Sequence, residues 1–151
     1  MKSLANAANR HEILIRISNL SELDRAKWGR MTAGQMLCHL SDSYRVGLGE
    51  KTASQATGIL QRTVVKWVAL RAPLEWMKGY PTRPELEQGK GGSRPVEFNR
   101  DREFLLSTLN RFCDDLPHTP IPHPIFGSMS AQDWWRWGYL HADHHLRQFG
   151  R

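Results

Sequence analysis

The chain has 151 residues, a size suited to one domain that hides roughly 70% of its unfolded surface in a single core. Its 40% hydrophobic and 24% charged residues, with six Trp, exclude disorder as the main state. The formal charge of +6 is spread over isolated Lys and Arg residues rather than a basic arm or recognition motif, so specific nucleic-acid binding is not expected. Charge interrupts every apolar run, and neither secretion nor a membrane span is expected. Cys38 and Cys113 lie far apart and match no metal-ligand pair or disulfide framework, which suits a reducing cytoplasm.

Ala5 to Asn19 predicts a first helix, with Ile13, Leu14 and Ile17 on overlapping faces and Glu12 and Arg16 opposite. Ser21 to Met31 is polar, contains Gly29 and reads as a turn region. Thr32 and Gln35 form a capping-box pair that opens a second helix from Ala33 to about Leu48. After a polar connection, a third helix carries Leu60, Val64, Trp67, Val68 and Leu70 until Pro73 ends it. From Pro73 to Pro95, glycines and prolines break any period, and irregular segments of that length often line a site. A fourth helix carries Leu105, Leu109, Phe112 and Leu116 and stops before Pro117. The stretch from Pro117 to Pro124 is too proline-rich for helix or ladder strand. Ser130 and Asp133 open a last helix, Ala131 to Phe149, closed by Gly150. With no strand of convincing period, the expected fold is all-α, a four- or five-helix bundle.

On a helical wheel the last helix places Trp134, Trp135, Gly138, Ala142 and Phe149 on one side and Arg136, Asp143 and Arg147 on the other. His141 and His145 fall within the apolar arc, four residues apart, close enough for two imidazoles to reach one ion. Gly138 is expected to leave space in front of them. The second helix turns Met36, Leu40, Tyr44 and Gly47 inward and Asp42 and Arg45 to water, with His39 on the flank of the inward arc. Three imidazoles from two facing helices suit zinc, nickel or ferrous iron with a position left open. Spacing alone leaves the other reading open, that of a non-catalytic small-molecule-binding or dimerisation bundle whose histidines are hydrogen-bonded within a core. His144 lies at the rim of the wheel, His118 and His123 belong to the Pro-rich loop, and His123 is expected to anchor it. Cys38 is expected on the outward side of its helix, and Cys113 is expected to pack in the fourth.

The segments Met31-Thr32-Ala33-Gly34-Gln35-Met36-Leu37-Cys38-His39-Leu40, His123-Pro124-Ile125-Phe126-Gly127 and His141 to Gly150, together with the Lys78 to Pro84 stretch, resemble the DinB-like (YfiT-like) superfamily of metalloenzymes. Within it, they are most similar to a branch known only as a domain of unknown function. The resemblance spans nearly the whole chain. It implies an up-down-down-up four-helix bundle, often a homodimer, with a divalent metal held by His39, His141 and His145. Relatives of that branch are similar to thiol-dependent transferases acting on small electrophiles, or to hydrolases. On this reading a low-molecular-weight thiol is the co-substrate and binds as thiolate. The Pro73 to Pro95 loop covers the opening, Lys78 or Arg83 meets an anionic group, and neither cysteine is a nucleophile.

Overall fold

The two capping boxes form as the sequence predicts. Thr32 Oγ1 accepts from the Gln35 amide at 3.2 Å while Gln35 Oε1 accepts from the Thr32 amide at 3.0 Å, and Ser130 and Asp133 make the same reciprocal pair. Each satisfies two amides that a helix start otherwise leaves without partners. The computed structural model describes residues 1–55, 58–117, 119 and 121–151. His118, expected in the Pro-rich loop, lies outside the described residues.

The described chain forms α1 (Ala7–Ser18), α2 (Ala33–Gly47), a π-helical stretch (Gln61–Val65) running into α3 (Lys66–Arg71), α4 (Phe98–Asp114) and α5 (Ala131–Gln148). Four long helices make the bundle: α2 packs on α4 and α5, and α1 packs on the other sides of the same two. The core they enclose contains Ile13, Ile17, Met36, Leu40, Leu105 and Trp134. The π-helical stretch coincides with the β-branched run Thr63-Val64-Val65, where the Thr63 hydroxyl donates back to the Ile59 carbonyl at 2.8 Å. Branched side chains crowd the preceding turn and weaken an α-helical register. Among the described residues no strand forms; an isolated bridge joins His123 and Gly127.

Two close approaches knit the bundle. A Cβ on Gly138 would stand 2.8 Å from the Phe112 ring and 2.9 Å from Leu4, so this glycine does not leave the space in front of the histidines that its position on the wheel suggests. It admits neighbours instead: the Tyr44 hydroxyl donates to the Gly138 carbonyl at 3.0 Å, tying α2 to α5.

The outward face of α2 also departs from expectation. Asp42 is buried because the 48–97 connection crosses over it: the Ser93 amide and hydroxyl both donate to its carboxylate at 2.7 Å, and Lys51 lies 3.1 Å away. A buried carboxylate is tolerable only with such partners. Cys38 is likewise buried rather than outward, facing Asp101 of α4, and Cys113 packs against the core in α4.

The third helix differs most. Leu70 is buried, but Leu60, Val64, Trp67 and Val68 are exposed, so the apolar stripe faces away from the bundle. Lys66 and Arg71 pair with Asp133 at 3.0 and 2.7 Å, Lys66 largely covered and Arg71 still exposed.

Candidate metal centre

His39 comes from the middle of α2, and His141 and His145 from successive turns of α5. The helices meet closely enough that His39 Nε2 lies 3.2 Å from His141 Nε2, and His145 Nε2 lies 3.1 Å from the same atom. The three residues form a cluster whose ligand atoms lie within 4.8 Å of one another. Nitrogens bound to a common zinc at about 2.0–2.1 Å are themselves about 3 Å apart. His39 and His141 are only 5% and 8% exposed.

The remaining ring nitrogens decide how these imidazoles are protonated. His39 Nδ1 lies 3.1 Å from the Leu86 carbonyl, an acceptor only, so Nδ1 carries the proton and Nε2 presents a lone pair. His145 Nδ1 lies 2.9 Å from Gln148 Oε1. The orientation of that amide is set from its other end, where Gln148 Nε2 donates to the Trp28 carbonyl at 2.6 Å. His145 Nε2 is therefore also a bare lone pair. His141 Nδ1 is buried and finds no hydrogen-bond partner among the described residues.

No neutral arrangement satisfies this set without a further group. If His141 carries its proton on Nε2, it can serve one of the two facing lone pairs and leaves the other, and its own Nδ1, without a partner. If it carries the proton on Nδ1, three lone pairs converge. Protonating a ring is opposed by burial, which pushes His39, His141 and His145 below the usual histidine range; for His141 the other two rings add to the effect. One divalent cation resolves all three lone pairs at once, and imidazole is a donor matched to zinc, nickel or ferrous iron. Leu86 and Gln148 then hold the rings of His39 and His145 from behind, as carbonyl and amide groups do around ligating histidines.

The irregular connection reaches the centre at two points, Trp76 and Leu86, both within the Pro73 to Pro95 loop. Leu86 touches His39, while Trp76 packs over His141 and His144 with ring centres 6.0 and 6.2 Å away and donates from Nε1 to the Ala69 carbonyl at 2.8 Å. His144 stands at the rim, edge-on to Trp28 at 5.8 Å. Lys78 lies over the Trp28 ring at 4.6 Å, in a cleft shared with Lys27, Arg147 and Arg151. Arg83 instead donates to the Ser54 carbonyl and hydroxyl at 2.8 and 2.7 Å, so of the two expected cations it is committed to another part of the chain. Burial pushes the Cys38 and Cys113 thiols up to about 12 and about 11, so neither is a thiolate near neutral pH. His123 anchors its loop as expected: Nδ1 accepts from the Ile125 and Phe126 amides, and the ring stacks on Phe126.

Sequence reasoning missed Gln148, Trp28, Trp76 and Leu86 as parts of the site. Gln148 lies three residues after His145 on one helix, a spacing that could have revealed it. The carbonyls of Leu86 and Trp28 leave no mark in side-chain pattern.

A family model matches residues 2–151. The chain belongs to that family, described as "Protein of unknown function (DUF1569)". No curated protein and no solved structure matches this DUF1569 chain.

Proposed function

We propose that this DUF1569 chain is a divalent-metal-dependent enzyme for small molecules, and that its chemistry joins a low-molecular-weight thiol to an electrophile. The observation that carries the reading is the buried convergence of three imidazole nitrogens, two of them fixed as lone pairs by Leu86 and Gln148. The likeness of its motifs to the DinB-like superfamily supports thiol transfer, with metal-dependent hydrolysis as the alternative reading. An ion held by His39, His141 and His145 would supply the charge that lowers the pKa of a small thiol or a water into the neutral range.

The residues around it have separate tasks. Leu86 and Gln148 fix the tautomers of His39 and His145. Trp76 and Trp137, whose rings lie 6.0 and 4.7 Å from His141, shield the centre from bulk water. Lys78 stands where an anionic group of the thiol or its partner would enter.

Protein purified without a His tag and loaded with cobalt is the test. Adding a glutathione-like or bacillithiol-like thiol is expected to produce a sulfur-to-cobalt charge-transfer band, absent in His141→Ala. If the wild-type protein takes up no divalent ion, the reading fails entirely. If cobalt binds but only carboxylates or water perturb its spectrum, thiol transfer is wrong and hydrolysis takes its place.

A further inference from the structure

The cleft that holds Lys78 is short of negative charge. Its volume is about 360 Å³ and its walls include Lys27, Trp28, Glu75, Lys78, Arg147 and Arg151, a size suited to part of a small molecule. Arg151 is committed to Asp24, and Arg147 gives its Nε to Asp143. Lys78 lies over the Trp28 ring, and among the described residues neither Lys78 nor Lys27 has a carboxylate partner. The negative end of α5, which would oppose an anion here, is already covered. The Gly150 and Arg151 amides donate to the Arg147 and Leu146 carbonyls, and the Lys27 amide donates to the Gln148 carbonyl.

One carboxylate already sits among these cations. Glu75 Oε1 lies 2.8 Å from Arg147 Nη1, although the Glu75 side chain is 78% exposed. An ion pair so open to water is weak. A carboxylate from outside can take its place at small cost, and Lys27 and Lys78 add attraction that Glu75 leaves unused. We propose that this cleft is a carboxylate subsite of the metal centre, and that Glu75 is its internal stand-in, displaced when substrate binds. The inference rests on the metal-centre reading above and narrows its substrate to small molecules that carry a carboxylate on an apolar stem.

The stem follows from what lies between the two places. His144 stands 5.2 Å from His145 and 5.8 Å from Trp28, ring centre to ring centre, and Trp76 lies 6.2 Å from His144. A ligand reaching from the histidine nitrogens to the cleft therefore passes mostly aromatic surface, which suits methylene carbons. The anion that Arg147 holds in this fold is a carboxylate, a planar group that a guanidinium matches well.

Cobalt-loaded protein titrated with ω-mercaptohexanoate and with ω-mercaptohexanol, which differ only at the end away from sulfur, is expected to bind the acid about 10-fold more tightly. Lys27→Gln and Lys78→Gln together are expected to erase that preference and Glu75→Gln to increase it, all with the far-UV spectrum of wild type. Equal binding of the two thiols, or a preference unchanged in these variants, would overturn the subsite. A second readout needs neither metal nor thiol. Hexanoate added to chelator-treated protein is expected to shift the Trp28 indole NMR signal in wild type but not in the variant lacking both lysines. That shift without any cobalt band in wild type would keep the subsite and reject thiol transfer. No shift would overturn the subsite even where cobalt binds thiols. Inorganic phosphate moving the same signal at lower concentration than hexanoate would overturn the choice of carboxylate.

Discussion

At the scale of single residues, the centre depends on which nitrogen of each histidine bears its proton. His39→Ala, His141→Ala and His145→Ala each remove a converging lone pair and are expected to abolish stoichiometric metal, whereas His11→Ala, on the exposed side of α1, leaves it unchanged. Elemental analysis at equal purity decides this, and equal occupancy in all four variants would refute the site. Gln148→Leu keeps the ligands but removes the acceptor behind His145. Loss of such a supporting hydrogen bond typically weakens metal affinity about 10- to 100-fold, measurable by competition with a chelator. Gly138→Ala acts on stability instead: its methyl meets Phe112 and Leu4 inside contact distance. Overpacking of that kind costs about 1–3 kcal/mol, to be read from urea denaturation with the slope unchanged.

At the scale of elements, the capping boxes, α5 and the inward histidines were legible because each rests on local spacing that packing does not reverse. The orientation of α3 was not: periodicity identifies an apolar stripe but not whether it faces the bundle, and Asp133, which pairs with Lys66 and Arg71, lies far along the chain. Asp42 escaped for the same reason, since a loop residue 51 positions away supplies its partners. Asp42→Ala is expected to cost about 3 kcal/mol, the scale of breaking a buried charged network, and to weaken metal binding by loosening the segment that brings Leu86 to His39. Stability lost with metal affinity intact would uncouple the two.

The His123 loop carries a pH dependence of definite sign. Burial lowers the His123 pKa from 6.5 to about 3, with nearby Lys66 adding to the shift. Between those values the unfolded chain binds the proton and the folded chain does not, so stability is full above about pH 6.5 and falls as the pH drops toward 3. At about 1.36 kcal/mol per pH unit, the loss by pH 5 is about 2 kcal/mol. In His123→Asn the amide oxygen can still accept from Ile125 and Phe126 but does not titrate. With chelator present, its stability is expected to drop about 2 kcal/mol less than that of wild type between pH 7 and pH 5. Identical slopes would assign the acid sensitivity to the other buried histidines.

At the scale of the whole molecule, much of the basic charge is spent internally: Arg10 on Asp114, Arg16 on Asp143, Lys66 and Arg71 on Asp133, and Arg151 on Asp24. Duplex DNA is therefore expected to bind no more tightly than about 10⁻⁴–10⁻⁶ M at physiological salt. A submicromolar, sequence-dependent fluorescence titration would contradict that. No helix among the described residues is long and apolar enough to cross a membrane.

The connection between α2 and α4 touches the centre twice, through Trp76 and through Leu86. An ion drawing His39 and His141 together would act as the clasp of a belt, fixing a long excursion at two points whose separate ordering is entropically costly. Occupancy then becomes readable far from the histidines. At free metal 100 times the dissociation constant, linkage adds about 2.7 kcal/mol to the folded state. The tryptic sites that follow the two contact points, Lys78 and Lys90, should be cut slowly when it is fastened and quickly when it is not.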